Sequence, residues 1–111
     1  MEKKIDEPPP AYLDFVGRYP KLGDAWERVG EAGVEGPLDM PTVRLVKLGI
    51  AIGAMREGSV HADVRKALAA GVAPEAIEQV VALAAGTLGF PSTVVVFTWV
   101  REVVHSHRGP R

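Results

Sequence analysis

Glu57 and His61 are the residues of this chain whose types and spacing best suit chemistry. On a helix, residues four apart share a face, about 5–6 Å from one another. A carboxylate placed there can hold one imidazole nitrogen and leave the other free for a substrate, which is the outline of a general acid/base pair. Arg65 follows His61 by one turn, and Arg44 and Lys47 lie on the segment before it, so these three are candidate binders of a substrate carboxylate. A plainer interpretation stands beside each. His61 is followed at helical spacing by Val64 and Leu68, and a histidine on a partly apolar face is more often packed than catalytic. Arginine on a helix face is more often simply solvated. A carboxylate with an imidazole also suits zinc or iron, but two ligands from one chain are too few unless subunits combine them. His105 and His107 near the C-terminus lack acidic partners and read as solvated. Neither a resident metal nor a cofactor is therefore expected.

A length of 111 residues fits one domain with a single core, on the small side for a pocket built by one subunit. Apolar residues make up 47% and charged residues 24%, with 13 Lys and Arg against 14 Asp and Glu, so the chain reads as globular and nearly neutral, without the basic excess of a nucleic-acid binder. The opening MEKKIDEPPP has no apolar run, and no segment reaches the roughly 18 apolar residues of a membrane span, so a cytoplasmic protein is the expectation. Cysteine is absent. That excludes disulfides, thiolate metal sites and any mechanism that cycles a protein thiol.

The elements that must position Glu57 and His61 read as helices throughout. Residues 1–10, with three consecutive prolines, form an extended arm; residues 11–105 form the domain; residues 106–111 form a polar tail. Tyr12, Phe15 and Val16 mark a short amphipathic helix broken at Pro20, and Leu22, Ala25, Trp26 and Val29 mark a second over residues 21–32. Dense glycines then predict a loop over residues 32–40. Pro41 starts a core helix in which only Arg44 and Lys47 interrupt the apolar residues 43–55. A kink or tight turn is expected near Gly58, with Ser59 capping the helix that carries His61 to Gly71. Pro74 restarts the chain, and Ile77, Val80, Val81, Ala84 and Leu88 form a stripe ended by Gly89 and Pro91.

The last segment sets local propensity against context. Residues 94–100, VVVFTWV, look like a strand when judged alone. No second strand pattern exists to satisfy their backbone groups, so residues 92–104 are predicted to be helical, with Val96, Val100, Val103 and Val104 inward. Val95 and Trp99 would then face outward, a surface that predicts subunit contact.

Four pieces of the chain, in order, resemble the carboxymuconolactone decarboxylase and alkylhydroperoxidase D superfamily: LVKLGIAIGA, His61 followed by Ala67-Leu68-Ala69-Ala70-Gly71, the Ala73-Pro74-Glu75-Ala76-Ile77 restart, and Leu88-Gly89-Phe90-Pro91. The resemblance spans about residues 38–104. It implies an all-α domain of about six helices around a core helix hairpin, assembled as a homotrimer or homohexamer, with the site near His61. The family's peroxidase branch is similar in carrying a Cys-x-x-Cys followed four residues later by histidine. Here the histidine position is His61, the cysteine positions are Ala54 and Glu57, and the position of the branch's glutamate is Thr42. Without a thiolate no peroxidase cycle is possible. The decarboxylase branch lacks the cysteine pair and resembles this chain in placing a histidine here among charged groups that bind substrate carboxylates.

Two functions of different class follow. One is an enzyme acting on a small organic acid by decarboxylation or proton transfer, with His61 as acid/base, Glu57 orienting it, and Arg65, Arg44 or Lys47 binding the anion. The other is a non-catalytic oligomeric binding or scaffold protein of the same fold. Burial of Glu57 and His61 together in a concave pocket would favour the first.

Overall fold

The computed structural model describes residues 8–108, which contain six helices and no strand. They are α1 (Pro10–Arg18), α2 (Pro20–Gly33), α3 (Met40–Gly53), α4 (Glu57–Ala69), α5 (Pro74–Leu88) and α6 (Phe90–Arg108). Helices α3 to α6 close a ring of contacts, α3 on α4, α4 on α6, α6 on α5 and α5 on α3. Helices α1 and α2 pack on each other and make no extensive contact with that bundle. The all-α expectation and the core hairpin, α3 with α4, are both found.

Prolines stand in the first turn of five of these helices, Pro91 of α6 included, where a missing amide loses nothing. Pro20 also excludes Tyr19 from helical geometry, which separates α1 from α2. Asp39 caps α3 by accepting the Thr42 amide at 2.9 Å. Left-handed glycines, Gly71 at φ 87° and Gly89 at φ 84°, end α4 and α5 where a side chain would be strained.

The core is built wholly from residues 43–104. Leu48, Ile52, Val60, Val64, Ile77, Val96 and Val100 are its largest fully buried side chains. Each recurs at three- or four-residue steps along its helix, so one stripe per helix points inward. α6 is helical through its run of valines because Val96, Val100 and Val104 are buried at four-residue spacing. Burial of that stripe outweighs the modest β preference of branched side chains. Thr93, near its start, donates its hydroxyl to Gly89 O at 2.8 Å.

Several expectations are corrected. The break before the His61 helix falls at residues 54–56, with Met55 at φ 54°, and α4 already includes Gly58 and Ser59. Arg56 is its N-cap, without a side-chain cap bond. Glu57, Gly58 and Ser59 are all exposed, so their free amides can be met by water and no capping serine is needed. Trp99 packs against the core rather than outward, whereas Val95 is exposed. The boundary expected at residue 106 falls inside α6, which runs on through His105 and His107. Most of the expected arm, residues 1–7, lies outside the described residues, and Pro10 already opens α1. No described helix is long and apolar enough to cross a membrane.

Candidate active site

α4 carries the candidate chemistry because its first turn starts at Glu57, which places His61 one turn deeper on the same flank. The acidic side chain suits the positive end of the helix. His61 Nε2 lies 3.9 Å from Glu57 Oε2 and 3.7 Å from Glu102 Oε2 of α6. The histidine side chain is 27% exposed, against 56% for Glu57 and 68% for Glu102. Nε2 itself is buried and has no hydrogen-bond partner. The buried ring nitrogen lies within 4 Å of two exposed carboxylates from different helices, and a small rotation of either would let it donate its proton there.

Arg65 repeats the same pattern one turn on. Its Nε is also buried without a partner. An unmet guanidinium N–H is costly to bury, and its place beside the histidine on one helix flank makes it a natural seat for an anionic oxygen.

Arg44 and Lys47 belong to a different group. They are partly buried on α3 and act electrostatically on Asp63 and Lys66 of α4. Asp63 follows His61 by two residues, which at about 100° per residue puts it on the opposite flank of the helix. Burial pushes the Asp63 carboxyl above its usual range, and Lys47, Lys66 and Arg44 oppose that push. Burial also lowers the Lys66 ammonium, helped by repulsion from Lys47. The structure therefore brings His61 together with Glu57 and Glu102, and gathers Arg44 and Lys47 around Asp63 and Lys66, with Arg65, one turn after His61, also acting electrostatically on Lys66.

Glu102 is the member that the sequence reading missed. It sits 41 positions beyond His61 in the sequence, and nothing in local spacing joins the two. It lies three residues after Trp99, which packs against the core, and so sits at the edge of that helix's inward face. No group of three or more His, Asp or Glu side chains among the described residues is arranged to hold a metal ion. A cleft of about 440 Å³ lies between α5 and α6, lined by Gln79, Val81, Ala82, Val94 and Phe97 among others, and none of the His61 group lines it.

The chain matches the sequence profile of the carboxymuconolactone decarboxylase family over residues 20–102, a span that contains α2 to α5 and ends on Glu102. Comparison with curated proteins and with solved structures returned no match. With the profile covering most of its length and six helices forming an all-α fold, the chain belongs to the carboxymuconolactone decarboxylase family.

Proposed function

We propose that this protein performs acid/base chemistry on a small organic acid, by decarboxylation or by proton transfer next to a carboxylate. The observation that carries this reading is His61 Nε2, buried, unpartnered and within 4 Å of two carboxylates from two different helices. Glu57 and Glu102 fix the ring through Nε2. Nδ1 is then the nitrogen that meets the substrate. Arg65 holds the substrate carboxylate that stays, and His61 moves a proton at the neighbouring carbon. In the decarboxylation branch the C–C bond to the departing carboxylate breaks, CO₂ leaves, and the electron pair left on carbon takes the proton from His61. Arg44 and Lys47 are given no part in this step, since they face Asp63 and Lys66. Thiol peroxidation has no place in it, because the chain holds no cysteine.

A second reading, a non-catalytic assembly module, draws support from the position of the α5–α6 cleft away from His61. The two separate cleanly in heavy water. The protein is incubated in D₂O with a panel of small mono- and dicarboxylic acids and followed by ¹H NMR. Acid/base action gives deuterium at carbon, in recovered substrate or in decarboxylated product, and His61→Ala abolishes it. Absence of exchange across the panel with the wild-type protein favours the assembly module.

A further inference from the structure

Away from His61, the contact between α3 and α4 gathers charges that the acid/base chemistry leaves unused. Arg44 and Lys47 stand three apart on α3, and Asp63 and Lys66 stand three apart on α4, so each pair shares a face of its helix. The two helices pack side by side, and all four residues are half-buried. Their charges do not cancel. Three bases accompany one acid, a local positive excess in a chain whose formal net charge is −1. Among the described residues none of the four takes part in an ion pair or a side-chain hydrogen bond.

Asp63 does not satisfy these bases. A carboxylate clasped by a base is held below its ordinary range. Burial instead carries Asp63 above that range, against the pull of Lys47, Lys66 and Arg44. Lys66 is displaced downwards, first by burial and then by repulsion from Lys47, and Asp63 is the group that supports its charge. Both directions belong to half-buried cations without an anion of matching charge, an arrangement that is costly until a ligand supplies one.

We infer that Arg44, Lys47 and Lys66 form a binding site for a small phosphate-bearing anion, on the flank of α4 opposite His61. A phosphoryl dianion concentrates its charge on one compact centre and so answers a local excess of about two. Its oxygens can accept from the planar fork of Arg44 and from the ammonium groups of Lys47 and Lys66. A dicarboxylate of equal charge divides that charge between two ends and suits three bases gathered around one carboxyl less well. Asp63 repels the ligand and holds its affinity down. The site stands independently of the chemistry assigned to His61.

The test titrates the full chain by calorimetry, at neutral pH and fixed ionic strength, with inorganic phosphate, glycerol 3-phosphate, succinate and acetate. Both phosphates should bind more tightly than succinate, and acetate should not bind. The tighter of the two phosphates tells whether the site takes the free ion or an ester. Arg44→Gln and Lys47→Gln should each weaken phosphate binding roughly tenfold or more, as for loss of a charge-assisted hydrogen bond, whereas Asp63→Asn should tighten it and His61→Ala should leave it unchanged. Circular dichroism checks that helicity is kept. Succinate binding as tightly as phosphate, or phosphate binding that is indifferent to Arg44 and Lys47, overturns the inference. A second measurement needs no variant. In the wild-type protein, phosphate should shift the amide NMR signals of residues 44–47 and 63–66. Shifts centred on Glu57 and Glu102, or no shift at all, would overturn the inference.

Discussion

The α1–α2 hairpin and the α3–α6 bundle are written in the same sequence language, amphipathic helices opened by proline, and they end in opposite states. Among the described residues every buried apolar side chain lies in the bundle, and neither helix of the hairpin buries a single one. Period alone therefore tells which face of a helix is apolar, and the presence of a facing stripe tells whether that face is covered. The difference also bears on function. His61 gains its second carboxylate only because α4 and α6 are drawn together over Val60, Val64, Val96 and Val100.

Stability should divide along the same line. Leu48→Ala and Ile52→Ala each empty a fully buried position and should cost about 2–5 kcal/mol in denaturant unfolding. Leu22→Ala, at a position half exposed in its own chain, should stay within about 0.5 kcal/mol in dilute protein. Equal losses at both places in dilute protein would show that the hairpin is covered within its own chain. A smaller effect is expected at the turn that sets the start of α4. Met55 holds a left-handed backbone that glycine adopts freely, so Met55→Gly should gain about 1 kcal/mol in the same measurement.

The smallest effects lie in the pH dependence of the bundle, where two aspartates should act in opposite directions. The Thr42 hydroxyl first, and its amide second, hold the Asp39 carboxyl below its usual range. Its contribution is present above the ordinary carboxylate value and lost as pH falls through the lowered one. Burial raises Asp63, so its contribution is fully present below the ordinary value and lost as pH rises through the raised one. In melting temperature against pH, Asp39→Asn should flatten the acid-side loss while still capping α3. Asp63→Asn should raise the melting temperature at neutral pH and show no advantage in acid. A penalty from Asp63→Asn at neutral pH would mean that the surrounding cations dominate.

Much of the bundle was legible because its apolar residues repeat at helical steps and its prolines mark first turns. The helical fate of residues 94–100 was legible only by elimination, since their branched side chains favour a strand and nothing in the sequence supplies its partner. The turn at Met55 was not legible, because glycine at Gly58 is the local signal and the chain instead places a methionine in the left-handed conformation. The candidate group around His61 was legible in part: the spacing of four brings Glu57 near His61, the nearness of Glu102 depends on a contact between distant helices, and a linear sequence does not show that Arg44 and Lys47 act on Asp63 and Lys66. The outward placing of Trp99 failed for the same reason, a stripe wider than the simple four-residue step predicts.

Whether His61 works with both carboxylates beside its Nε2 is tested most directly by the rate of deuterium transfer to carbon in the best substrate of the acid panel, compared across His61→Ala, Glu57→Gln and Glu102→Gln. The expected result is no exchange without the imidazole and a fall of about 10²–10⁴ for loss of either carboxylate, with wild-type helicity in all three. Exchange that survives in His61→Ala, or that is indifferent to Glu102, would contradict it.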